Sequence, residues 1–319
     1  MSRRGWLLFA AMSVIWGLPY LFIKIADEGV SPPVLVFTRT ALAAALLLPI
    51  ALRRREVWLL LASWRWLVLF TLIEIVGPWL LLSSAERRLS SSLSGLLIAA
   101  VPIMGVVFAR LTGDADRLTL TRCAGLLVGL GGVALLAGRA TGGGAWPVTE
   151  VLLTAAGYAV GPLIASRKLG DLPKLGMTAV CLTFAAVVLA PGAIATLPHS
   201  VPPARVLGSL AVLAVVCTGL AFLGFFMLIA EVGPARATVI TYVNPAVAVV
   251  LGVAVLGEPL TAAIVASFVL ILTGSVLATR PETRPPQPAI VMDDAAGDEA
   301  AGDNAARAGA PPAEPARRP

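Results

Sequence analysis

Ten nearly unbroken apolar stretches divide this chain, at about 6–26, 33–52, 66–84, 91–111 and 121–138, and again at about 147–166, 175–195, 205–230, 235–256 and 261–279. Most are close to the roughly 20 residues with which an α-helix crosses the hydrocarbon of a bilayer. They are apolar on every side, so they show neither the single stripe of a surface helix nor the alternation of a half-exposed strand. Backbone groups in lipid must bond within their own segment, which predicts a helix for each run. Turn chemistry separates them: Ser31-Pro32-Pro33, Gly142-Gly143-Gly144 and the Pro-rich stretch around His199. The pattern predicts an all-α integral membrane protein of about ten transmembrane helices.

Composition agrees with that pattern. The 319 residues are 58% hydrophobic and 13% charged, against about 25% charged in soluble domains. No water-soluble core of this length absorbs so much apolar surface. From Arg280 the character changes to Pro, Ala, Gly and acidic residues, which cannot offset ordering entropy by burial. The expected organisation is therefore a first five-helix unit over 1–140, a second over 141–280, and a disordered cytoplasmic tail over 281–319.

The net charge of +6 does not suggest a nucleic-acid partner, because the basic residues sit in short clusters between spans. With the N-terminus inside, Arg3, Arg4, Arg53, Arg54, Arg55, Arg65, Arg110, Arg117, Arg122, Arg167, Lys168, Lys174 and Arg236 are cytoplasmic, and only Arg87, Arg88, Arg139 and Arg205 lie outside. This asymmetry predicts cytoplasmic N- and C-termini in a multi-pass protein of the plasma or inner membrane. The first apolar run is long enough to span, and it is read as a retained helix rather than a cleaved signal.

A repeat runs through the chain. Pro102 and Pro245 are offset by 143 residues, and Asp116–Glu258 and Gly132–Gly274 by 142. Five helices per half is an odd number, so the second half enters the membrane from the opposite side. Inverted repeats of this kind commonly frame a substrate site near mid-bilayer, with one half rocking against the other.

The stretch Val232-Gly233-Pro234-Ala235-Arg236-Ala237, through Asn244-Pro245, to Leu256-Gly257-Glu258-Pro259-Leu260 resembles the signature of the EamA repeat of the drug/metabolite transporter superfamily. Trp16-Gly17 with Lys24, and Arg39 in the second run, are similar to the opening of that repeat. The resemblance covers about residues 6–279. It implies ten helices, cytoplasmic termini, and export or exchange of small metabolites such as amino acids or drug-like compounds. Where Leu-Gly-Glu is expected, the first half reads Thr112-Gly113-Asp114-Ala115-Asp116. Glu74 in the third run is a second departure.

Candidate chemistry starts with charges inside spans, since intramembrane ionisable groups are costly and usually face a wet cavity or a partner. Lys24 lies within snorkelling reach of the outer boundary. Arg39 sits roughly 9 Å below it at 1.5 Å per residue. Glu74 lies near mid-bilayer, so either an Arg39–Glu74 pair or a role in substrate or proton handling is expected. Trp16, Tyr20, Trp79, Tyr158 and Tyr242 are candidate pocket walls, with plain helix packing as the alternative for each. Asn244 adds a polar group beside Pro245, and Pro19, Pro102 and Pro245 are candidate kinks or gate hinges.

Other chemistries find little support. One histidine in a loop and three unpaired cysteines within apolar runs give no metal or catalytic constellation. The run Gly129-Leu130-Gly131-Gly132-Val133-Ala134 imitates a nucleotide fingerprint but lies inside a span with no preceding strand. No phosphate-binding loop appears, so any coupling is secondary. No cofactor, metal or catalytic residue is expected. The expected partners are a small-molecule substrate and the lipid bilayer, with a homodimer left open. The competing readings are an integral-membrane enzyme and a non-transporting receptor or scaffold.

Overall fold

The computed structural model describes residues 2–112, 119–138, 144–233, 237 and 239–279. The expected tail over 281–319, Asp114, Asp116 and Arg236 lie outside them. Eight helices are long and apolar enough to cross a membrane: α1 Arg3–Ala26, α2 Pro32–Arg53, α3 Val57–Glu86, α4 Ser91–Leu111, α5 Leu120–Ala137, α6 Ala145–Lys168, α7 Lys174–Ala195 and α8 Ala204–Val232. Two shorter apolar helices, α9 Ile240–Leu256 and α10 Ala262–Ala278, complete ten among the described residues.

The packing obeys the repeat. Helices α2 and α7 face each other, as do α4 and α9, and α5 and α10. The contact of α3 with α6 is mirrored by that of α8 with α1, and the contact of α4 with α6 by that of α9 with α1. Helix-breaking features recur at one offset as well. Pro19 and Pro162 stand as far apart in sequence as Pro102 and Pro245. A widened π turn interrupts α3 at Leu72–Val76 and α8 at Val215–Leu220, near the middle of equivalent helices.

Each break has a local cause. α1 pauses at Trp16-Gly17 and resumes at Leu18 with Pro19 in the first turn, where its missing N–H is no loss. α4 pauses at Ala99-Ala100 and resumes with Pro102. The Ala99 carbonyl released there accepts from Ser275 Oγ at 3.2 Å. In α3, Pro78 cannot donate to the turn before it, and the chain widens over Leu72–Val76 instead of breaking.

Glycine lets α5 and α10 approach closely. A Cβ on Gly274 would overlap the Gly129 backbone, and one on Gly132 would meet Ile271 and Leu270. This is the small-residue contact by which membrane helices associate without a hydrophobic driving force. The third helix differs from expectation at its start. It begins at Val57 rather than near 66, as a 3₁₀ segment Val57–Ser63 with Trp58 and Leu59 exposed. At about 1.5 Å per residue the whole helix exceeds the roughly 30 Å of hydrocarbon, so its first turns extend beyond it.

Candidate functional site

Two ends of the bundle are distinguished here: the terminal end, where α1 begins, and the distal end, where α1 ends and α2 starts. Arg39 lies two turns into α2 from the distal end and is only 7% exposed. Its Nε donates to Thr218 Oγ1 at 2.7 Å, and its guanidinium lies 3.7 Å from the centroid of the Trp79 ring. The π turn of α8 creates that acceptor. Thr218 donates its own hydroxyl proton back to the Leu213 carbonyl at 2.8 Å and so keeps a lone pair for Arg39. Among the described residues no carboxylate reaches Arg39 within ion-pair distance.

Glu74 sits in the other π turn. Its carboxylate presses on Gly161 of α6, where any Cβ would overlap it, and Oε2 is buried with no hydrogen-bond partner. Gly157, one turn earlier, lets α6 approach the Ile73 carbonyl and Pro78. The Thr154 hydroxyl donates to the Pro78 carbonyl at 3.1 Å and fixes the register of the two helices. The direct Arg39–Glu74 ion pair, one of the two sequence-based alternatives, is absent from these described residues. Tyr158 of α6 is the common neighbour of both charges and of Trp79. Tyr20 of α1, 7% exposed, adjoins Tyr158 and Arg39 and packs beside Gly95 of α4.

The structure therefore groups Tyr20, Arg39, Trp79 and Tyr158, from α1, α2, α3 and α6, with Glu74 of α3 reaching the group only on the Tyr158 side. The other candidates lie elsewhere. Trp16 stacks on Phe225 of α8 at 4.5 Å between centroids. The Tyr242 hydroxyl bonds Thr279 Oγ1 at 2.8 Å near the terminal end of α10. The Asn244 amide, oriented to donate, reaches the Ser13 carbonyl at 3.0 Å and its own helix at Ile240. It thus ties α9, beside the buried Pro245, to the pause in α1, where Gly17 packs against Val247. Pro19 and Pro102 open the second segments of α1 and α4. The open clefts on the outer surface, one between α3 and α7 and one between α4, α5 and α6, are lined almost wholly by apolar side chains and do not touch this cluster.

Sequence reasoning missed a second buried group of charges at the distal end. Glu86 is fully buried, although it precedes Arg87-Arg88 and reads as a solvated helix end. Lys24 does not merely snorkel. Its ammonium donates to the backbone carbonyls of Glu86 and, at 2.7 Å, Leu89, capping α3 where cations suit the helix dipole. The Ser83 hydroxyl donates to Asp27 Oδ1 at 2.9 Å. On the same side Gly257, at φ 67°, turns the chain so that Glu258 accepts from the backbone N–H groups of Ser91 at 2.7 Å and Ser92 at 2.9 Å. The signature carboxylate of the second half thereby caps α4 of the first.

Comparison with known proteins agrees with this architecture. The EamA-like transporter family profile matches residues 3–138 and again 146–280. The uncharacterized inner membrane transporter YedA of Escherichia coli (strain K12) is 29% identical over 255 residues, 79% of this chain and 82% of its own length. The uncharacterized transporter YvbV of Bacillus subtilis (strain 168) is 27% identical over 282 residues, 86% of this chain and 92% of its own. An uncharacterized transporter of Archaeoglobus fulgidus is 22% identical over 288 residues, 87% and 99% of the two chains. A solved structure described only as a protein crystal structure superposes with a TM-score of 0.61 at 23% identity, covering 88% of this chain and 97% of that one, a likeness of fold. Two family matches, one to each five-helix half, together with ten apolar helices whose contacts recur between the halves, establish that this chain is a membrane protein of the EamA-like transporter family.

Proposed function

We propose that this protein is a secondary transporter that exports or exchanges small metabolites, amino acids or drug-like compounds, by alternating access about the Arg39–Glu74 cluster. One observation carries this reading: two buried ionisable side chains, Arg39 and Glu74, lie on either side of Tyr158 and do not pair with each other. Arg39 has one side-chain hydrogen bond and a Trp79 face, and Glu74 has an unpartnered oxygen. Unpaired charges in lipid surroundings are expensive to keep, and a ligand that supplies both countercharges removes that cost when it binds. A zwitterion fits, with its carboxylate on Arg39, its ammonium on Glu74, and its apolar body against Tyr20, Trp79 and Tyr158.

The breaks supply the moving parts. The pause in α1 and Pro245 of α9, joined through Asn244 and Ser13, form one flexible point, and Pro19 and Pro102 begin the segments that swing from it. Both termini are cytoplasmic in this reading, following the charge asymmetry of the loops. Reporter fusions after residue 30 and after residue 280 check the topology, and a periplasmic signal from the second would overturn it.

The functional test is metabolite profiling of cells lacking and overproducing the protein, followed by export of the compounds that change. Glu74→Gln at normal membrane abundance is expected to abolish export. Undiminished export by that variant would sink the assignment of the site.

A further inference from the structure

The distal charges form a separate arrangement. Glu86 closes α3 with no exposed surface, and neither carboxylate oxygen has a hydrogen-bond partner. Asp27, just beyond α1 and 8% exposed, accepts from Ser83 through Oδ1 and leaves Oδ2 buried and unpartnered. The two carboxyl groups are electrostatic neighbours. Three buried oxygens on these two acids thus accept no hydrogen bond from the protein.

The surrounding charges do not supply two full counterions. Lys24 from α1 contributes one positive charge, but its ammonium is spent on the carbonyls of Glu86 and Leu89. Arg87, just past the end of α3, is exposed and acts on Asp27, and Arg39 from α2 acts on Glu86 from the deeper site. Glu258, from the turn between α9 and α10, adds negative charge and is occupied with α4. Glu28, next to Asp27, pairs outward with Arg205 of α8 at 3.8 Å. Two like charges in one low-dielectric site disfavour ionising both.

We propose that Asp27 and Glu86 form a proton-binding site at the distal end of the bundle, the pair holding one exchangeable proton between α1 and α3. The step is simple: a proton from water at the distal face forms an O–H bond on the Asp27 carboxylate, and the negative charge beside Lys24 falls by one. Burial raises Asp27 to about 7, while Ser83, Arg87 and Lys24 pull the other way, so exchange falls in the range of ordinary environments. A proton site between helices that part during alternating access would serve as the coupling site. That consequence rests on the transport reading, whereas proton binding does not.

Infrared pH titration of the whole protein in lipid nanodiscs tests the binding without any substrate. The wild type is expected to show a protonated-carboxyl absorption that disappears with a midpoint near 7, and Asp27→Asn is expected to remove that component. Glu86→Gln relieves the repulsion and should move the midpoint down by about one unit or more, a tenfold weaker proton affinity. Ser83→Ala, which strips a hydrogen bond from the charged form, should move it up. Opposite shifts from two near-isosteric changes are not produced by a merely structural role. A component that persists unchanged in Asp27→Asn overturns the site, and a midpoint unmoved by Glu86→Gln overturns the pair. Export failing while the titration behaves as described would count against the transport reading alone.

Discussion

The two halves of this molecule share a scaffold and differ in chemistry. Their helices pack in mirrored pairs, their prolines recur at one offset, and their third helices widen at equivalent π turns. Yet the position that holds Glu74 in α3 holds Cys217 in α8. By the same offset Arg39 corresponds to Leu182, Trp79 to Phe222, Tyr20 to Leu163 and Tyr158 to Ile15. One repeat supplies most of the polar groups, and the second supplies backbone and apolar surface around them. The breaks are therefore a property of the architecture, retained whether or not a charge sits there. The charges are a property of one face, and in the proposed reading that asymmetry is what would set specificity.

The largest effect expected from breaking this asymmetry is at Glu74. Glu74→Gln should abolish export with little change in melting temperature, because no hydrogen bond or ion pair is lost with it. Arg39→Gln should also abolish export but lower stability, since it loses Thr218 and the Trp79 face. Combining the two should give no recovery of stability over Arg39→Gln alone. A double-mutant coupling well above about 0.5 kcal/mol would show that the charges interact directly.

Striking the scaffold instead of the chemistry should destabilise without selectivity. Gly274→Leu drives a side chain into the Gly129 backbone and is expected to cost about 1–3 kcal/mol or to prevent assembly. Thermal unfolding in a mild detergent, with membrane abundance, reads this directly. Removing the cap on α4 by Glu258→Ala should cost about 2 kcal/mol, and Glu258→Gln should cost less. Equal losses from the two would mean that carboxylate charge, rather than acceptor geometry, secures that helix end.

The smallest effect is a pH slope. Because the folded protein holds Asp27 at about 7, above its ordinary 3.8, the stability tied to its neutral form is complete below the ordinary value. It is lost as pH rises through about 7. Melting temperature should therefore fall on going from mildly acidic to mildly alkaline buffer, and Asp27→Asn should flatten that fall. A slope identical in the variant would assign the effect to other groups.

Much of this was legible in the chain itself. Runs of apolar residues interrupted by Pro and Gly gave ten helices, since lipid leaves the backbone no alternative to helix. Arg39 and Glu74 stood out because a charge amid leucine and isoleucine has no ordinary reason to be there. Glu86 did not stand out, because Arg87 and Arg88 beside it give the appearance of a solvated turn. Its burial follows from how the end of α1 packs over it through Lys24, which is long-range information. The aromatic residues split for a similar reason. Periodicity cannot say which way Trp16 or Tyr242 faces in a helix that is apolar all round, and both turned out to pack or bond away from the cluster. The early start of α3 was hidden by Arg53-Arg54-Arg55, which look like the beginning of a long loop.

The turn at Gly257 has a mechanical consequence. Through Glu258 it fastens the α9–α10 hairpin to the first turn of α4, and the glycine seam fastens α10 to α5. Gly252 keeps the space that this fastening needs, since a Cβ there would overlap Glu258 and Ser92. Helices α4, α5, α9 and α10 are thus bolted into one block drawn from both halves. In the transport reading, the joints this block makes with α1, α2, α3 and their partners are where motion is expected, while the bolted distal corner stays closed.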